Sequence, residues 1–133
     1  MFALDPRLEA DTFPVCDLSL CTVRLMNDAT YPWLILVPRR EGVGELIDLS
    51  SADRAMLTRE IDQVSVLLRD LTGCDKLNVA ALGNMVRQLH VHVIARFETD
   101  AAWPAPIWGE VPTEPYPDDD RDDLITVLQI RLN

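Results

Sequence analysis

Several classes of protein are excluded by what this sequence lacks. Cysteine occurs three times in 133 residues, at Cys16, Cys21 and Cys74, an odd number with no CxxC spacing. A disulfide framework is therefore not expected, and a reducing cytoplasm is the expected setting. No apolar run, Trp33 to Val37 included, approaches the roughly 18 to 20 residues of a membrane-spanning helix. The opening Met1-Phe-Ala-Leu-Asp-Pro-Arg7 has an acid where a secretory signal carries a basic and then an apolar segment. No membrane partner is expected. No basic run is present to displace counterions from a nucleic-acid backbone, and the net charge of −10 opposes such a partner. What is there suits one domain over residues 1–133, with 48% hydrophobic and 26% charged residues. That is enough apolar material for a core without disulfides or a structural metal.

The acidity is local. Residues 98–123 hold nine acids against one base, so −8 of the net −10 falls there. The same stretch contains Pro104, Pro106, Pro112, Pro115 and Pro117, and it reads as an irregular, acidic arm over about 98–120. The run Asp118-Asp119-Asp120 suits a helix entry, where the helix dipole favours acids, with a repulsive rim around a site as the alternative.

Periodicity supplies the elements, and no internal repeat is visible. Asp5 as N-cap and Pro6 at the first helical position predict a short helical turn over 6–11. Val15 to Met26 reads as one or two strands, and Tyr31 to Val37, apolar on both alternating faces, as a central buried strand. The clearest helix is 52–72, with Leu57, Ile61, Val64, Leu68 and Leu71 on one face, Ser50 as N-cap and Gly73 as stop. Lys76 to Leu82 and Gln88 to Phe97 read as strands joined by a turn at Gly83-Asn84, and 122–132 as a terminal helix. This order predicts an α+β domain with an antiparallel sheet.

Both histidines fall in Gln88-Leu-His90-Val-His92-Val-Ile94. On a strand, Gln88, His90 and His92 share one face while Leu89, Val91 and Val93 share the other. The apolar set is explained as core. The polar set is either an exposed face or a binding site. A zinc site needs a third and usually a fourth ligand, and no cysteine lies at ligand spacing, so neither a metal nor another cofactor is expected.

The stretch Lys76-Leu-Asn78-Val-Ala-Ala-Leu-Gly83-Asn84-Met-Val-Arg-Gln88-Leu-His90-Val-His92-Val-Ile94 resembles the signature of the histidine-triad (HIT) superfamily. Upstream, Asn27-Asp28, the 31–37 strand and Pro38-Arg39-Arg40 are similar to its ribose loop, central strand and basic turn. Downstream, Trp103-Pro104 resembles its Trp-Pro element. The likeness spans roughly 15–109 and fits a bacterial subgroup with Gln88 at the first triad position. It implies a HIT-like α+β fold with a five-stranded, mainly antiparallel sheet, one long helix, short flanking helices and homodimer formation.

The resemblance also implies nucleotidyl hydrolase or transferase chemistry on dinucleoside polyphosphates or nucleoside phosphoramidates. His90 matches the nucleophile, and a neutral imidazole suits attack beside phosphate oxygens. Its other ring nitrogen is expected on a backbone carbonyl near Gln88. His92 matches the residue that contacts phosphate and helps protonate the leaving group. Asn84 matches the phosphate-holding amide, and Asn27 and Asp28 are the candidates for ribose hydroxyls; Asn78 and Gln88 complete the expected substrate contacts. Gln88 cannot carry a proton at neutral pH, Met85 stands where several relatives have serine, and Glu41 replaces a histidine after the basic turn. A weakened enzyme is expected, with a non-catalytic nucleotide-binding module as the alternative. Arg39, Arg40 and Arg87 read as surface bases, Arg96 as a possible phosphate contact on the His90 face, Trp103 and Trp108 as base-stacking or packing residues, and Tyr31 and Trp33 as core or dimer contacts.

Overall fold

A computed structural model describes all 133 residues. Nine short elements follow one another: α1 (Pro6–Asp11), β1 (Thr12–Asp17), β2 (Cys21–Met26), β3 (Trp33–Pro38), a single 3-10 turn (Leu46–Asp48), α2 (Ser51–Thr72), β4 (Lys76–Ala80), β5 (Val91–Arg96) and α3 (Asp118–Leu132). The strands form one antiparallel sheet in the order β1-β2-β3-β5-β4. Pro14, which has no amide proton for a ladder bond, sits on the edge strand β1 next to a register irregularity.

The sheet separates two layers. On one side α2 and α3 cover the main core, which takes Val23, Leu25, Leu34, Leu36, Val91, Val93 and Ala95 from the strands and Leu57, Val64, Leu68 and Leu128 from the helices. On the other side α1 and the irregular segment 97–117 cover Trp33, Ile35, Val37 and Ile94. Every residue of β3 and β5 is buried, so the central pair is sandwiched as the two-sided apolar pattern of β3 requires.

The helix ends follow local chemistry. Ser50 Oγ accepts the Asp53 amide at 3.1 Å at the start of α2, and Gly73, at φ 65°, closes it in the left-handed conformation that glycine adopts without strain. Asp5 caps α1 with Pro6 first in the helix. Buried Glu60 joins the layers, its carboxylate accepting the Leu20 and Cys21 amides at 2.9 and 2.8 Å.

Two expectations are corrected. The strand read over 88–97 begins only at Val91, and residues 81–90 form a loop rather than a tight turn. The terminal helix read over 122–132 begins at Asp118, so Asp118, Asp119 and Asp120 are the helix entry expected of them, in a helix that packs on β1 and α2, and the alternative of a rim falls away. The α2 stripe and the central strand are taken up by this chain's own core.

Candidate functional site

The layer of α1 and the 97–117 arm borders a partly open cavity of about 620 Å³. Leu8 and Asp11 come from α1, Asn27 and Asp28 from the end of β2, Trp33 from β3, and Gly83 to Val86 from the loop. His90 and His92 line it, and Trp108, Thr113 and Pro115 of the arm complete it. His90 also lines a smaller cleft of about 240 Å³ with Gly44 to Ile47. An open cleft of about 640 Å³ lies further along the loop, where Arg87, Glu45 and Asp48 contribute the charges. His90 therefore stands where two spaces meet.

Alternation along β5 explains the placement. Val91, Val93 and Ala95 face the helix layer, leaving His92, Ile94 and Arg96 for the opposite face. His90 and His92 are buried, with ring centroids 4.9 Å apart, and Trp108 meets His92 edge-on at 5.1 Å.

The ring partners fix opposite tautomers. His90 Nδ1 lies 2.7 Å from the Gln88 carbonyl oxygen. A carbonyl only accepts, so Nδ1 carries a proton, and in the neutral ring Nε2 is the nitrogen that keeps its lone pair. His92 Nδ1 accepts the indole N–H of Trp33 at 3.0 Å. Indole only donates, so here Nδ1 has the lone pair and Nε2 carries the proton. Burial, with His90 adding to it, pushes the His92 pKa down to about 4, and the ring is neutral at pH 7. The pair thus offers one imidazole lone pair and one imidazole N–H.

The other expected residues divide. Asn84 lines both larger spaces. Asn27 and Asp28 line the main cavity and also tie down the arm: Asn27 Oδ1 accepts the Tyr116 amide at 2.9 Å, and Asp28 Oδ1 accepts those of Thr30 and Glu114 at 3.0 and 3.3 Å. Gln88 lies outside β5 and outside the main cavity. Its Oε1 accepts the Asp5 amide and its Nε2 donates to the Ala3 carbonyl, each at 2.8 Å, so both ends of the amide hold the N-terminal segment.

Asn78 is not in the cavity either; its Oδ1 accepts Arg96 Nη1 at 2.7 Å, and the substrate contact expected of it becomes a structural one. Arg96 does share the face of His92, but it is buried and bound to Asp100, not aimed at the cavity. Trp103 stacks on its guanidinium at 5.6 Å. Trp33, read as core, proved a hydrogen-bonding neighbour of His92. A Trp in an otherwise aliphatic strand, carrying an N–H that must find a partner when buried, was the available signal.

An antiparallel α+β domain with a facing pair of imidazoles in a cavity beside a glycine-containing loop defines the class. Within that class the chain belongs to the HIT domain family, which its residues 7–99 match. It is similar to histidine triad proteins of known structure from Bradyrhizobium japonicum (46% identity, TM-score 0.97) and Sinorhizobium meliloti 1021 (48%, 0.96), covering 99% of this chain and 98% of each of those. A histidine triad protein from Marinobacter aquaeolei VT8 is 46% identical over 99% of this chain and 96% of its own, with a TM-score of 0.96. No curated protein matches the sequence.

Proposed function

We propose that the protein is a nucleotidyl hydrolase or transferase acting at the α-phosphate of a dinucleoside polyphosphate or a nucleoside phosphoramidate. The observation that carries this is the His90 tautomer: the Gln88 carbonyl occupies Nδ1–H, so that in the neutral ring Nε2 is the nucleophile. Nε2 attacks phosphorus, the N–P bond forms, and the bond to the leaving group breaks with its electron pair. Water then attacks the nucleotidyl-histidine, a proton leaves the water, and the nucleoside monophosphate departs with His90 regenerated.

The spaces on either side of His90 support this reading, one sized for a nucleoside and the other open to a leaving group. In it, Asn27 and Asp28 meet the ribose, Asn84 the phosphates, and the His92 N–H a phosphoryl oxygen. Gln88 takes the place of the first triad histidine and acts through its backbone carbonyl on His90 while its amide holds the chain at Ala3 and Asp5. The protein is proposed to work in the cytoplasm as a homodimer. The surface offered for pairing is the open edge of β4, where Val79 is exposed, with Leu82 exposed in the loop that follows. No helix is long and apolar enough to cross a membrane.

AMP release from diadenosine tetraphosphate and from an adenosine phosphoramidate tests the proposal. Wild type is expected to release AMP, and His90→Ala to lose about a thousandfold or more in kcat. Nucleotide binding without turnover by wild type would instead make the protein a non-catalytic nucleotide-binding module.

A further inference from the structure

We propose that Trp33 is a positioning residue: its indole N–H holds His92 in the Nε2–H tautomer and thereby directs the site to leaving groups that depart as anions. The leaving-group part rests on the reading of His90 as nucleophile. The tautomer part stands on geometry alone.

Protonating His92 at Nδ1 would set two N–H groups facing each other at the 3.0 Å that now separates Nδ1 from the Trp33 nitrogen. Neither ring can turn to water, because Trp33 is 8% and His92 5% exposed. The elements around His92 supply no counter-charge: β3 brings Trp33 and Ile35, β4 brings Ala80, and the arm brings Trp108. His90 is the titratable neighbour, and its cation would repel a second one. Asp11 and Asp28 line the same cavity, but neither bonds to an imidazole.

A neutral His92 donates a hydrogen bond through Nε2 but does not surrender that proton, since the ring would become an imidazolate. When His90 forms its bond to phosphorus, the departing atom keeps the electron pair of the broken bond. A phosphate leaving group is stable in that form. An alkylamine is not, and it requires a proton that neutral His92 does not give up.

Long-range 1H–15N spectra of the 15N-labelled protein read the tautomer directly. Wild-type His92 is expected to show an unprotonated Nδ1 and a protonated Nε2 from pH 8 to pH 5. Trp33→Phe keeps a ring in place and removes the N–H; the His92 midpoint should then rise by about one pH unit or more. In turnover, wild type should prefer diadenosine tetraphosphate over an adenosine alkylphosphoramidate by about tenfold or more, and Trp33→Phe should narrow that ratio, most at pH 6. His92 protonated on Nδ1 at pH 7 in wild type, or a ratio that Trp33→Phe leaves unchanged, overturns the proposal. If Trp33→Phe does not fold, the wild-type spectrum still decides the tautomer. If neither substrate is turned over while His92 shows the stated tautomer, the nucleophile reading and the leaving-group preference fail and the Trp33–His92 lock stands.

Discussion

Replacing Asp100 by Ala should unseat the most deeply buried charge in the molecule. Arg96 is 1% exposed and Asp100 7%, and the guanidinium meets the carboxylate through two bonds, Nε to Oδ2 at 2.8 Å and Nη2 to Oδ1 at 3.0 Å. The same carboxylate accepts the backbone amides of Phe97, Ala102 and Trp103, so it also shapes the start of the arm. Asp100→Ala leaves a cation in the interior with only the Asn78 and Ala105 oxygens, a loss of about 3–5 kcal/mol for breaking a buried pair. Guanidinium melts should show it, with a fall in Tm of about 10 °C or more. The double variant Arg96→Met/Asp100→Leu removes both charges and should cost less than the single one. Acid adds a second test. The Arg96 hydrogen bonds chiefly hold the Asp100 carboxyl at about 2, below its ordinary 3.8. A carboxyl depressed in the folded state stabilises fully above pH 3.8 and ceases to do so as pH falls through 2, a contribution of about 2 kcal/mol that the double variant should lack. A cost below about 1 kcal/mol for Asp100→Ala would refute the reasoning.

Gln88→Ala removes both amide bonds to the N-terminal segment and should speed amide hydrogen exchange over residues 3–11, with stability falling by about 1–3 kcal/mol and kcat changing less than tenfold. Glu60→Ala leaves the Leu20 and Cys21 amides unpaired in the core, and urea unfolding should report a loss of about 2–4 kcal/mol. His92 makes the fold acid-sensitive in a separate window. Between pH 6.5 and about 4 the unfolded chain takes up a proton that the folded one refuses, so stability should fall by up to about 3 kcal/mol on acidification, and His92→Phe should flatten that slope.

Where local chemistry decides structure, the sequence was readable. Ser50, Gly73, Asp5 and Pro6 mark helix ends through contacts within a few residues, and β3 announces its two-sided burial by having no polar face. The start of β5 was not readable. The alternation runs back to Gln88, but the short His90–Gln88 carbonyl contact and the Gln88 amide bonds to residues 3 and 5 draw this segment out of the ladder. Arg96 and Asn78 illustrate a second limit. The face of Arg96 follows from period two, while its purpose depends on the register that sets Asn78 beside β5 and on an arm that delivers Asp100 and Trp103. Trp33 and His92 are 59 residues apart, a distance over which no local pattern speaks.

The cavity is walled by both ends of the chain, and this gives its construction an order in time. Ala3 and Asp5 reach Gln88 across 85 and 83 residues, Arg7 reaches the Met85 carbonyl across 78, and Asn27 reaches Tyr116 across 89. On the other face Gln129 of α3 reaches the Val15 carbonyl across 114, and contacts between distant residues carry the larger entropic cost. As the chain is synthesised, α1 emerges first yet has no berth until the 81–90 loop exists, and Asn27 waits longer still for the arm. Both faces of the sheet therefore stay unfinished until the last third of the chain is made, the cavity side waiting for the arm and the core side for α3.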